Sequence, residues 1–167
     1  MAGSGKPQSM DELIAYRQDL LSALERDIEH LARCEASSSY DSWYKRAGAT
    51  PHTPHYTLFH LRTLEAQEFA VQISRILNED MPELALFDDH TWMADYYTVG
   101  ETPHAIVQDF SILRRLEIEL LNQLSAPAWS RSARHPWWGV HTLQWWVELQ
   151  HDVSRQQIQE LNRLLAV

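Results

Sequence analysis

His60, His151 and Arg155 are the residues whose types and spacing raise the question of chemistry in this sequence. His151 and Arg155 stand one helical turn apart in "LQHDVSRQQI" (149–158), a stretch with an apolar line through Leu143, Val147, Ile158, Leu161 and Leu165. That line advances by i, i+3 and i+4 steps and takes in His151 and Ser154, so the imidazole lies inside the core or at its lip. Alone, such a histidine is most simply a hydrogen-bonded core residue. Together with His60 it offers the donor type that zinc, nickel and iron favour, and helix bundles hold metals between facing helices. Two imidazoles leave a site incomplete, because a catalytic zinc takes three protein ligands and keeps a fourth position for water.

The other polar residues read more plainly. His52, His55 and His60 cluster in "PHTPHYTLFH", the first two in a proline-containing lead-in where loop histidines are expected. Asp88, Asp89 and His90 read as a solvated turn, and Asp152 points about 100° away from His151 on the same helix. His135 and His141 flank the last helix, where either can line a pocket mouth or bond to a loop. Cys34 is the one cysteine. It has no histidine partner apparent in the sequence and reads as a small core or surface residue rather than a nucleophile.

Trp137, Trp138, Trp145 and Trp146 fall within ten residues, with Trp92, Tyr96 and Tyr97 earlier in the chain. Large rings mostly serve packing. The functional alternative is that Trp137, Trp138 and Trp146, with Glu65, wall an apolar pocket over His60 and His151. No Ser-His-Asp order, phosphate-binding glycine loop or CxxC occurs, so triad hydrolysis, nucleotide hydrolysis and dithiol redox chemistry lack support.

The elements that must position these residues are helical. Ser9 and Glu12 form a capping-box pattern ahead of a stripe through Leu13, Leu20, Leu24, Ile28 and Leu31. A second run covers Pro54 to Asn78, with Leu58, Leu61, Glu65, Phe69, Ile73 and Ile76 on one face and His60, Leu64 and Val71 beside it. Thr102 as N-cap and Pro103 at the first position open a third helix whose buried line is Ile106, Phe110, Leu113, Leu120 and Leu124. Residues 79–100 are too many for a bare turn and predict a short accessory helix. "SAPAWSRSARHPWWGVH" (125–141) reads as a loop before a fourth helix from Thr142 to Leu165. Four helices of roughly 24 residues, each about 36 Å long, predict an all-α, up-down-up-down four-helix bundle over residues 9–167 behind a disordered leader, residues 1–8.

Composition narrows the partners. The chain has 167 residues, a formal net charge of −9, 44% hydrophobic residues and five glycines. It carries no basic run to track a phosphate backbone, so nucleic acid is not an expected partner. One cysteine suits a reducing cytoplasm, and no apolar stretch is long enough to span a bilayer or act as a secretory signal.

"HLRTLE" (60–65), "FSILRRLEIELLNQL" (110–124), "RHPWWGVHTL" (134–143) and "HDVSRQQI" (151–158) occur in an order and at distances that resemble the DinB-like (DinB/YfiT) superfamily of bacterial four-helix bundles. The resemblance runs over nearly the whole chain after the leader. It implies a divalent metal, nickel or zinc, held by His60 from the second helix and by two histidines one turn apart on the fourth. His151 matches the first of those two, and Arg155 stands where the second would be. Arginine keeps its proton and has no lone pair for a metal. Relatives with assigned chemistry are similar to thiol S-transferases that use bacillithiol or mycothiol, and homodimers are common among them. The resemblance therefore implies a metal-dependent transferase with a low-molecular-weight thiol and an incomplete triad. The alternative is a metal-free, non-catalytic bundle that binds a small molecule or dimerises.

If helices two and four run parallel, His60 and His151 stand at levels about 3 Å apart, and Glu65 and Arg155 also share a level. On this reading a bidentate Arg155–Glu65 pair replaces the metal by a guanidinium that can hold an anion but cannot acidify a water. The plain alternative has Arg155 in solvent, and a metal held by His60, His151 and waters or Glu65 remains open.

Overall fold

A computed structural model describes residues 9–46 and 52–166, and the expected leader, residues 1–8, lies outside them. The capping box forms as expected: the Ser9 hydroxyl accepts the Glu12 N–H and the Glu12 carboxylate accepts the Ser9 N–H, each at 3.2 Å, opening α1 (Met10–Ser37). A short α2 (Tyr40–Tyr44) follows and buries Trp43. The second long helix is built from α3 (Pro54–Thr63), one π-helical segment (Leu64–Phe69) and α4 (Ala70–Asn78). The accessory helix expected between the second and third long helices is α5 (Asp89–Tyr96), with Asp88 as its N-cap. Thr102 caps α6 (Pro103–Asn122) by accepting the Ala105 N–H, and Thr142 caps α7 (Leu143–Leu165). The all-α four-helix bundle is thus the fold of the chain.

The segment read as a Trp-rich loop contains more structure than its composition suggested. After a 3-10 turn (Ala126–Ser130), β1 (Ser132–His135) pairs antiparallel with β2 (Gly139–Thr142), with Ser132 opposite Thr142 and His135 opposite Gly139. Gly139 has φ +78°, the left-handed conformation that glycine adopts without a Cβ clash. This hairpin is strapped to the end of α4, since Arg131 donates to the Ile76 carbonyl at 2.7 Å and Leu84 N–H donates to the Arg134 carbonyl at 2.8 Å.

Side-chain pairs fix the helix directions. Gln18 meets Asn122 and Glu35 meets His104, so α1 and α6 are antiparallel. Arg17 meets Gln144 and His30 meets Asn162, so α1 and α7 are parallel neighbours. Arg62 meets Asp109 and Glu65 meets Arg114, so the α3–α4 helix and α6 are also parallel. Residues 79–102 therefore climb back along the whole length of the bundle, which a parallel pair of long helices requires. Helices two and four are antiparallel, as the Glu65–Gln150 contact and the packing of Leu58 and Leu61 with Ile158 and Leu161 show. The up-down-up-down order expected from the sequence is therefore replaced by up-down-down-up, and the shared levels expected for His60 with His151, and for Glu65 with Arg155, rested on parallel helices and do not hold.

The core is divided. One apolar cluster, including Leu24, Ile76, Leu143 and Trp146, fills the hairpin end. Another, including Leu31, Leu58, Phe110 and Leu161, fills the end where α5 and α2 cover the bundle. Between them lies a layer of polar side chains that holds the candidate site.

Candidate functional site: a polar layer across the bundle

On α6 the inner line is Ile106, Phe110, Arg114, Glu117 and Leu121, so two charged residues take places in the i, i+3, i+4 series that Leu113 and Leu120 were expected to fill. Leu120 is exposed instead. The π-helical segment of the second long helix carries Glu65 into the interior opposite them, and such wide turns recur at functional sites. There Arg114 binds Glu65 through two parallel bonds, Nε to Oε1 at 2.6 Å and Nη2 to Oε2 at 2.7 Å. The Ser154 hydroxyl accepts from the same guanidinium at 2.9 Å, and Asp27 stands 3.4 Å from Nη1. Gln150 donates to Glu65 Oε2 at 3.0 Å. Charge-assisted bonds of this bidentate form are the strong ones. They let the bundle bury a guanidinium and a carboxylate completely.

Three carboxyls, Asp27, Glu65 and Glu117, surround one guanidinium, and the surplus shows in the acidities of Glu117 and Asp27. Burial, joined by the charge of Glu65, pushes the Glu117 carboxyl up to about 8, while Arg114 and Gln150 act the other way. At neutral pH Glu117 therefore carries its proton. Burial also raises Asp27, which Arg114 and His151 partly offset. Burial lowers the affinity of Arg114 for its proton, but Glu65 beside it outweighs this and the net shift is upward.

His151 lies at the edge of this layer. Its Nδ1 is buried without a hydrogen-bond partner. His60 is turned to the accessory helix, where its Nε2 lies 2.8 Å from Asp89 Oδ2. Glu68, on the π-helical segment, is pushed up to about 7 by burial and by Asp89. Taking Glu65 opposite Gln150 as the antiparallel register, His60 faces position 155 and stands about 6 Å along the axis from His151.

Arg155 does not turn inward. It is 60% exposed and bonds Asp152 at 3.3 Å, while the partner it was expected to hold, Glu65, belongs to Arg114. The physical reasons are direction and competition: in the antiparallel register position 155 stands about 7.5 Å along the axis from Glu65, and Arg114 already satisfies both Glu65 oxygens from within the core. The tryptophans are placed elsewhere too. Trp138 and Trp146 pack on His135, with ring centroids 4.4 and 5.6 Å away, and Trp137 lies on the hairpin turn, 75% exposed. The Trp138 and Trp146 rings close the hairpin end of the core instead of meeting His60.

Two histidine readings change. His55 is a fully buried core residue, bonded to the Tyr97 hydroxyl at 3.0 Å and the Glu101 carbonyl at 2.7 Å. His30 is the partner of Cys34 that the sequence reading passed over, with Sγ 3.3 Å from Nε2. Asn162 meets that same Nε2 at 2.8 Å, so the trio lacks the two-sided imidazole of a Cys-His-Asn relay. Burial raises the thiol as well. His135 is buried and accepts the Trp137 and Trp138 N–H groups, and His141 bonds the Trp138 carbonyl.

A divalent metal of the kind implied by the resemblance was tested against these donors. The unpartnered Nδ1 of His151 suits a ligand. His60 is committed to Asp89, position 155 offers a solvated guanidinium, and among the described residues no three His, Cys, Asp or Glu side chains converge as a metal-holding group. The three-histidine donor set does not fit this chain. Among the described residues, no helix is long and apolar enough to cross a membrane.

No protein-family model matches the chain, and no curated protein matches it. Among solved structures the chain is similar to YfiT from Bacillus subtilis, described as a probable metal-dependent hydrolase with an unusual four-helix bundle topology. The TM-score is 0.79 at 17% identity, over 98% of this chain and 91% of that one. The likeness is one of fold, and it bears out the four-helix bundle expected from the sequence.

Proposed function

We propose that this chain is a YfiT-type bundle protein that binds a small molecule and whose metal centre is degenerate. The observation that supports this reading is position 155. It faces His60 in register, carries arginine in place of a third imidazole, and points that arginine at solvent. Its interior neighbours form an ion network of Arg114, Glu65, Gln150 and Ser154, which commits Glu65, the carboxylate expected to stand in for the missing donor.

A second reading has an observation of its own. The buried, unpartnered Nδ1 of His151 is what a retained ligand would look like. On that reading the chain is a metal-dependent hydrolase or thiol S-transferase, with His60 and His151 as the protein ligands of nickel or zinc and a bacillithiol- or mycothiol-type thiol as co-substrate.

Elemental mass spectrometry on the untagged protein, before and after equilibration with nickel and zinc and desalting, separates the two. The first reading expects no stoichiometric metal in either sample. Near one metal per chain, lost in His60→Ala, overturns it in favour of the second. Arg155→His supplies the third imidazole and is expected to raise nickel or zinc affinity at least tenfold in calorimetry. Unchanged affinity would remove the claim that position 155 faces the site.

A further inference from the structure

Arg17 is a second buried arginine, 7% exposed, on the first third of α1 and far from the polar layer. Its Nε donates to the Gln144 side-chain oxygen at 3.0 Å, and its guanidinium carbon lies 5.1 Å from the Trp129 ring centroid. Among the described residues no carboxylate stands within ion-pair distance of it. Glu148 is reached only through Gln144, which donates to it at 3.0 Å, and the same Glu148 oxygen already accepts the Tyr16 hydroxyl. A guanidinium keeps its charge at any physiological pH, and a buried charge with no counter-charge is unfavourable.

Beside this cation is a cavity of about 250 Å³ between α1, the end of α6 and the 3-10 turn. Arg17, Ile14, Leu21, Leu121, Leu124 and Trp129 line it, and the Gln18–Asn122 bond of 3.1 Å runs along its edge. At about 30 Å³ for each water-sized group, it holds roughly eight such groups. The walls are mostly apolar, the Gln18 and Asn122 amides bond each other, and the one charged residue is Arg17, so the complement is an anion with an apolar body. A fully hydrated dianion such as phosphate would find a single guanidinium and hydrocarbon where it needs several donors.

We propose that this cavity binds a small monocarboxylate of about benzoate or hexanoate size. The carboxylate lies on the Arg17 guanidinium, and the body lies against Leu21, Leu121 and Trp129. Gln144 fixes Nε and thereby orients the remaining N–H groups, while Trp129 supports the guanidinium face. The cavity is about 10 Å along α7 from His151, counted from Gln144. The proposal therefore does not depend on whether the histidine site holds a metal, and the metal measurement leaves it untouched.

The test uses the full chain, titrated with sodium benzoate and sodium hexanoate by calorimetry and by tryptophan fluorescence. Benzyl alcohol, benzylamine and inorganic phosphate serve as the matched neutral, cationic and purely ionic probes. Saturable binding of benzoate at one per chain is expected, at least tenfold tighter than benzyl alcohol, with no binding of benzylamine. Arg17→Met is expected to weaken benzoate at least tenfold, and Trp129→Phe to remove the fluorescence change. Leu121→Phe, which narrows the cavity and leaves the cation in place, must also weaken binding and guards against a folding defect in the arginine variant. Benzyl alcohol binding as tightly as benzoate overturns the role of Arg17. Phosphate binding as tightly as benzoate reduces the site to an adventitious ion only, and absence of any saturable benzoate signal overturns the whole proposal.

Discussion

Arg114 and Arg17 are buried in the same bundle under opposite electrostatic conditions. Arg114 is enclosed by Glu65, Asp27 and Ser154, with Phe110 beneath its guanidinium at 4.8 Å. Arg17 has one amide, one indole and an open cavity. The first charge is neutralised inside the protein, and the second is neutralised by nothing in it. A buried ion pair and a buried lone ion therefore imply different roles, since the pair is complete in itself and the lone cation has capacity left for a ligand.

That contrast is broken most forcefully at Arg114. Arg114→Met leaves Glu65 buried and uncompensated and is expected to lower unfolding free energy by about 3–5 kcal/mol in urea denaturation. The double variant with Glu65→Met should recover most of that loss, because both charges leave together. Recovery of less than half would show that the network does more than neutralise one carboxylate.

The next effect concerns the surplus carboxyl of the same layer. In the folded chain burial raises the pKa of Glu117 to about 8 from an ordinary value of 4.5. Its proton is thus held more tightly in the folded chain than in the unfolded one. The resulting stability is fully present below about 4.5 and is lost as pH rises through 8. Thermal midpoints should accordingly fall between pH 5 and pH 9, and Glu117→Gln should flatten that part of the profile. An unchanged slope in the variant assigns the dependence to another group.

Arg17→Met in the absence of ligand should change stability by no more than about 1 kcal/mol, since the methionine keeps the apolar stem and removes an unpaired charge. A loss as large as that of Arg114→Met would erase the distinction between the two arginines. Smallest of all is Arg155→Ala, expected within about 0.5 kcal/mol because its pair with Asp152 is exposed and i,i+3 spaced.

Much of the fold was legible because its signals are local. Ser9 with Glu12, Thr102 with Pro103, and the apolar stripes of α1 and α7 each declare themselves within a few residues. The accessory helix followed from length alone, as residues 79–100 exceed any turn. Directions were not legible, because reading that same segment as a crossover between parallel helices requires knowing that Glu65 pairs with Arg114, 49 positions away. The inner face of α6 was misread for a related reason. Arg114 and Glu117 continue the spacing of Ile106 and Phe110, but charged side chains belong on the surface unless paired, and only a partner from another helix overrides that rule. His151 at the lip of the core was read correctly, whereas the contact of Cys34 with His30, a single turn earlier, was missed within one helix. The β1–β2 hairpin escaped notice because its strands are four residues each, too short for an alternating pattern.

The parallel run of α1 beside α7 has a topological consequence. Met10 and Leu165 are at opposite poles, separated by close to the full length of a 23-residue helix, about 35 Å. Labels placed at Met10 and Leu165 therefore report on separate surfaces, and a segment joining those two positions directly must be at least about ten extended residues long, laid along the side of the bundle.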